Sequence, residues 1–348
     1  MNVNKNGIAG SIEPYDGMPL LLSPALKHYL WGGTRLADEF GKGAPGEHVA
    51  ESWECSTHEN GRSVVRNGGY AGKTLQEVLA LHPSLLGSRW QGICPPGELP
   101  VMVKLLEAKE NASIQVHPGD EYARRHENGS HGKTEMWYVI DATENARLVY
   151  GFSHDMEPEQ LRESIENGTI EKYLQKVPVH RDDVFFIPPG CVHSVGAGIL
   201  VAEVQENSDV TYRLYDYDRK DANGERRELH IEKALEVLDM HAGGEVRQPM
   251  RVLHYEPGCA TEFLCRCRYF QVERKLIHRE DAAGGVVFET DETSFRILLC
   301  IRGEGMIRNQ CDKGAVTQEI APGDCLFVPA GCRPFAVSGN MTILQILC

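Results

Sequence analysis

The 348-residue sequence has no apolar run near the roughly 18 residues that a membrane-crossing helix needs. Its opening, Met1-Asn-Val-Asn-Lys-Asn-Gly, has no continuous apolar segment following a basic one, so no secretory signal is expected and a cytoplasmic protein is. Positive charge is in deficit: 36 Lys and Arg face 50 Asp and Glu, giving a net charge of −14. Nucleic acid and anionic membrane both demand a basic face, which excludes them as expected partners. No Cys-x-x-Cys pair occurs among the 11 cysteines, eight of which lie from Cys259 onward. An odd cysteine count without a signal points to reduced, buried thiols rather than to a disulfide framework or a second metal site.

The length allows two domains with ample core. Residues 1–19 read as a polar lead-in, 20–245 as a first domain and 246–348 as a second. Order is expected to begin with an edge strand at Leu20-Leu-Leu-Ser-Pro-Ala-Leu. In Ala50–Ser56, strand alternation puts Glu51, Trp53 and Cys55 on one face. Thr74-Leu-Gln-Glu77 is a capping box that opens a helix with a Leu75/Val78/Leu79 stripe. A second helix is predicted from Pro158 to Gly168, with proline in its first turn and Asn-Gly at its end, then a short one over Ile170–Gln175. Leu229–Leu238 is amphipathic and helical. From about Val252 the pattern is all β, and short strands with glycine turns favour a pair of β-barrels with helices inserted in the first half.

Three segments carry chemistry. Gln115 and His117 sit two apart in an alternating stretch and share one strand face. Glu135 opens the β-rich run Glu135-Met-Trp-Tyr-Val-Ile. Pro188-Pro-Gly-Cys-Val-His193 is a turn that delivers another imidazole. Two imidazoles, a carboxylate and an amide oxygen form a mixed N/O set suited to zinc or another divalent first-row metal, with room left for substrate or water. Lys133, two residues before Glu135, falls beside this set.

Gln115-Val-His-Pro, Gly132-Lys-Thr-Glu-Met-Trp-Tyr, Pro188-Pro-Gly-Cys-Val-His193 and Glu206-Asn-Ser-Asp-Val-Thr-Tyr-Arg213 resemble, in order, the signatures of type I mannose-6-phosphate isomerases. The resemblance implies a mainly β fold of two cupin (jelly-roll) barrels, one zinc ion per chain, and a sugar-phosphate substrate bound by a monomer or weak homodimer. It implies Gln115, His117, Glu135 and His193 as metal ligands. It maps Arg213 onto the family's active-site arginine and makes Asp209 and Glu203 the candidate acid–base carboxylates, with the choice between them open. Ser113 and Lys133 become candidate substrate contacts. It further implies that the Glu51–Trp53 segment supports the pocket wall.

Pro322-Gly-Asp-Cys-Leu-Phe-Val-Pro-Ala-Gly-Cys-Arg-Pro334 repeats Arg181–His193, with Asp324 on Asp183, Gly331 on Gly190 and Pro334 on His193. The second copy keeps the turn and lacks the ligand. Two other readings share the ligand set: an iron-dependent cupin oxygenase, which leaves Lys133 and Arg213 without a purpose, and a sugar-phosphate sensor that does not turn over.

Overall fold

The computed structural model describes residues 15, 17–221, 223–246, 248, 250–279, 284–311 and 314–348. Of the lead-in expected over 1–19, residues 1–14 and 16 lie outside that set. Among the described residues strands dominate, helices end at Val237, and no helix is long and apolar enough to cross a membrane.

The first part of the chain builds two antiparallel sheets. A six-stranded sheet runs in the order Val184–Ile187, Glu135–Ala142, Ile199–Glu206, Val101–Ala108, Glu51–Cys55, Ala25–Lys27. A five-stranded sheet runs Tyr212–Tyr215, Ile114–Val116, His193–Ser194, Arg147–Phe152, Leu174–Pro178. Trp31, Leu106, Trp137, Leu148, Val195 and Val201 form the core they share. The later part forms a ten-stranded antiparallel sheet around its own core of Phe288, Leu298, Phe335, Val337 and Ile343.

A third cluster joins the parts. It unites Val103, Leu105, Leu200, Ala202 and Val204 with Phe270, Phe295, Leu299, Phe327 and Ile346. The six-stranded sheet is therefore covered on both faces, and its central strands Val101–Ala108 and Ile199–Glu206 are buried at every residue. This explains their near-continuous apolar character. Alternation still sorts their side chains: Leu200, Ala202 and Val204 enter the joining core, so Glu203 and Gln205 face the other way.

Several local expectations fold as written. Thr74 caps Leu75–Leu81 through a complete capping box, and Pro158 opens Pro158–Glu166 at its first turn. The 181–193 and 322–334 repeat is structural too. Val184–Ile187 and Cys325–Val328 are matching strands, followed by Gly190 and Gly331 at φ of 86° and 67°, a left-handed conformation that favours glycine. Asp183 accepts from the His180 amide at 2.8 Å, as Asp324 does from Ala321 at 2.9 Å.

Three expectations are corrected. The helix over Ile170–Gln175 shrinks to a 3₁₀ turn at Ile170–Lys172, because Leu174 begins a strand paired to Arg147–Phe152. Leu20–Ser23 is not an edge: it lies between Cys325–Val328 and Val64–Val65, inside the ten-stranded sheet. Cys55 does not share a face with Trp53, since a register shift between them turns Cys55 into the joining core opposite Val103.

The two parts also meet through one buried cation. Lys42 Nζ lies 2.8 Å from Glu54 Oε2 and donates to Gly323 O at 2.7 Å, with Glu54 fully buried. Burial pushes the Glu54 carboxyl up, against the opposing pull of Lys42. Lys42→Met should strand that carboxylate and cost roughly 3–5 kcal/mol in urea unfolding at pH 8. The loss should shrink as pH falls, because the buried carboxyl, raised further once Lys42 is gone, escapes the cost by taking up a proton. A variant as stable as the parent at pH 8 would show that the pair does not matter.

Candidate active site

Gln115, His193 and Arg213 are brought side by side by strand register. His193 pairs with Gln115 on one side, and Gln115 with Arg213 on the other. Glu135 comes from the facing sheet, where it starts its strand opposite Ile187 and Gln205. His117 follows the strand Ile114–Val116 directly. The ligating atoms of His117, Glu135 and His193 all lie within 4.8 Å of one another, and all three residues are buried.

The imidazoles are oriented by backbone. His117 Nδ1 lies 2.9 Å from Val210 O, and His193 Nδ1 2.9 Å from Cys191 O. A carbonyl only accepts, so each Nδ1 carries the hydrogen and each Nε2 turns a lone pair toward Glu135. Those nitrogens stand 3.6 Å (His117) and 3.3 Å (His193) from the carboxylate oxygens. Burial holds both imidazoles in the neutral form, with His193 lowered to about 4. Lys133 Nζ stands 2.7 Å from Glu135 Oε2 and 3.1 Å from His117 Nε2, while Glu135 Oε1 is buried with no hydrogen-bond partner. A buried carboxylate with an oxygen left over, beside two neutral imidazole Nε2 atoms, is a donor set that fits a divalent cation. Gln115 is different. Its amide nitrogen faces His193 Nε2 at 3.3 Å, while its oxygen lies 3.4 Å from Ser113 Oγ. Only a half-turn of the amide would add an oxygen ligand.

A cavity of about 240 Å³ adjoins this cluster, lined by Ser113, Gln115, Lys133, Glu203, Asp209 and Arg213, all singled out from sequence. Glu203 is buried, with Lys104 at 3.4 Å, Lys133 at 3.9 Å and the Trp137 indole N–H donating at 2.7 Å. Burial alone would raise Glu203, but the two lysines outweigh it and hold the carboxyl below its usual range. Burial, with the charge of Glu203 beside it, raises Glu135. Asp209 is half-buried and accepts from Asn60 Nδ2 at 3.0 Å. Among the described residues Arg213 has no carboxylate within 4.0 Å and its buried Nε has no partner; its Nη1 donates to Glu228 O at 2.8 Å.

Lys104 escaped the motifs, yet it lines the cavity between Glu51 and Glu203. Its signal was a lone lysine between Val103 and Leu105 in a strand apolar on both faces. Glu51 lines the same wall and accepts from the Trp53 indole. Arg227 also lines the cavity, but Glu225-Arg-Arg-Glu228 reads as a solvated loop and offers no signal.

The loop carrying Lys133 is pinned by two carboxyls. Glu206 Oε1 accepts from Thr134 N at 2.8 Å, and Asp120 Oδ1 from Gly132 N at 3.0 Å. Tyr269, from the later part of the chain, donates to the other Asp120 oxygen at 2.9 Å. Burial, reinforced by the charge of Asp120, pushes Glu206 up to about 7. The folded state thus holds a proton that the unfolded chain releases near its ordinary value, and this stabilisation fades as pH rises through 7. Glu206→Gln keeps the oxygen that accepts from Thr134 and should stabilise the protein at pH 8 while matching the parent at pH 4.5. Equal melting temperatures at pH 8 would contradict the shift.

Two family models match the chain: phosphomannose isomerase type I, catalytic domain, over residues 20–163, and mannose-6-phosphate isomerase, cupin domain, over 260–347. Mannose-6-phosphate isomerase ManA of Bacillus subtilis is 39% identical over 92% of this chain and 96% of its own length. The mannose-6-phosphate isomerase of Streptococcus mutans is 36% identical over 94% and 97%. A crystal structure of the mannose 6-phosphate isomerase from Bacillus subtilis superposes with a TM-score of 0.83, covering 94% of this chain and 99% of that one. At these identities over nearly the whole length, the chain belongs to the type I mannose-6-phosphate isomerase family.

Proposed function

We propose that the protein is a metal-dependent aldose–ketose isomerase that interconverts D-mannose 6-phosphate and D-fructose 6-phosphate through an enediol. The observation that carries this reading is a cavity lined by Gln115, Lys104, Lys133, Glu203 and Arg213 beside the His117/Glu135/His193 donor set. One zinc ion, held by His117, Glu135 and His193, with Gln115 as a fourth ligand once its amide turns, would act as a Lewis acid toward sugar oxygens.

The chain's own groups account for the proton and the charge. Glu203 has one oxygen engaged by Trp137 and the other without a hydrogen bond, so a lone pair is free at the cavity. In our assignment that carboxylate takes the proton from C2 of the open-chain aldose. The electron pair of the broken C–H bond becomes the C1–C2 double bond, and the carbonyl π pair moves onto O1. A proton passes from O2 to O1, and as the O2 pair forms the C2 carbonyl the C1–C2 π pair takes the proton back from Glu203 at C1, which gives the ketose. Lys104 and Lys133, both buried beside Glu203, stabilise the developing oxyanion in a site where water does not screen them. Asp209 stands toward the rim and is placed to exchange hydroxyl protons. Arg213, with donors in a fixed fork and no carboxylate partner, suits the phosphate. The oxygenase reading leaves these cations unemployed, and the sensor reading leaves Glu203 without a task. Free thiols at all ten cysteines whose side chains are described accord with a cytoplasmic enzyme.

Three outcomes test the reading on zinc-loaded protein, with fructose 6-phosphate formation followed in a coupled assay. His117→Ala and His193→Ala should each lose stoichiometric zinc by elemental analysis; full retention by both would sink the ligand assignment. Glu203→Gln should slow turnover by about 10²–10⁴-fold, the usual worth of a positioned base, whereas a larger loss in Asp209→Asn would move the base to the rim. Arg213→Ala should cut kcat/KM at least about tenfold, or roughly 1.4 kcal/mol, at unchanged zinc content. Normal turnover in that variant would take Arg213 out of the active-site assignment.

A further inference from the structure

A second cavity of about 310 Å³ lies between the first part of the chain and the ten-stranded sheet, away from the metal-ligand cluster. Arg89, Arg266, Arg268 and Arg296 line it. They come from separate places. Arg89 belongs to the 3₁₀ turn Ser88–Trp90, Arg266 and Arg268 flank the turn between Cys259–Arg266 and Gln271–Arg279, and Arg296 opens the long strand beyond. The register is fixed by the backbone, since Ser88 N and Arg89 N donate to Glu292 O and Thr293 O at 2.9 and 3.0 Å.

Elsewhere in the molecule arginines are mostly spent on carboxylates, as Arg35, Arg162, Arg181, Arg227 and Arg274 are. The four cavity arginines are not. Among the described residues none of them has a carboxylate within 4.0 Å or a side-chain hydrogen bond. Arg89 stacks 5.3 Å over the Trp90 ring, and Arg268 5.8 Å over Tyr269. Stacking fixes a guanidinium plane while leaving its N–H edge free. Asp291 is the one acidic side chain in the lining, and its Oδ1 already accepts from Thr293 N at 2.8 Å. Against the four arginines the lining sets this one acidic side chain, so positive charge is in surplus. In a chain of net charge −14, such a surplus around a concave surface selects for an anion.

We propose that this cavity is a second anion site, taking a phosphoryl group, as free phosphate or as a phosphate monoester, through guanidinium forks. It does not depend on the assignment of the first cavity.

Binding is measured by equilibrium dialysis of the full, zinc-loaded chain at physiological salt, using ³²P-labelled inorganic phosphate and, separately, ³²P-labelled glycerol 3-phosphate. Arg213→Ala should leave one phosphoryl site intact, and Arg266→Ala/Arg268→Ala should weaken that site at least tenfold. Arg268→Glu, a change at an exposed side chain, gives the same loss with little demand on folding, checked by circular dichroism, and should retain isomerase activity. Binding of both probes would identify the phosphoryl group alone as the recognised element, and binding of the ester alone would identify a monoester site. If neither probe binds, if all binding disappears with Arg213→Ala, or if the arginine variants bind like the parent, the site does not exist.

Discussion

The catalytic pocket depends on two strands, Val101–Ala108 and Ile199–Glu206, that have no solvent on either face. One face must be apolar to meet the ten-stranded sheet. The other is therefore the only one on which Lys104 and Glu203 can stand, side by side in the register Glu203↔Lys104. Their mutual proximity lets each be charged in the interior, where an isolated charge would be very costly. The later sheet thus covers the far face of both strands, and the His117/Glu135/His193 cluster lies wholly in the first part of the chain. Tyr269 adds a direct tether through Asp120 to the loop that carries Lys133.

Orientation is imposed by main-chain groups wherever a side chain must present one particular atom. Val210 O and Cys191 O fix the imidazole tautomers, and the Cys191 carbonyl sits in the turn that Gly190 makes possible. The same turn recurs at Gly331, with the same aspartate-to-amide bond before it. In the first copy the turn delivers His193. In the second, where the sequence has Pro334, Thr290 Oγ1 receives the Cys332 amide and the turn becomes a packing device.

Much of this was legible in the residues. The capped helices and the repeated turn depend on local spacing or local hydrogen bonds, and local rules read them correctly; the motifs carrying His117, Glu135 and His193 stood out as well, and the fold brings those three together. What local rules missed was set by contacts far apart in sequence. Cys55 changes face because a bulge opposite Val103 interrupts the alternation, and nothing within residues 50–56 encodes that partner. Leu20–Ser23 is enclosed because strands from residues 64–65 and 325–328 flank it. Lys104 was visible as an anomaly, a charged residue in an apolar strand, but its role follows only once Glu51 and Glu203 are seen beside it. Arg227 could not have been found, since its loop has the composition of a solvated surface.

The distribution of positive charge carries the last step. With acidic residues in excess, many arginines and lysines stand beside a carboxylate, Arg35, Lys42 and Arg181 among them. A partly buried cation left without one needs another account of its charge. Arg213 is such a case: burial and the neighbouring Arg227 both lower its pKa, so the fold spends stability to keep it in the pocket. Asp216, the nearby acid, is instead bonded to Arg219 and Arg227, so among the described residues Arg213 has no carboxylate to cancel its charge. Local surpluses of positive charge thus stand against an acidic whole, and in our assignment the guanidinium groups that make them take a small anion.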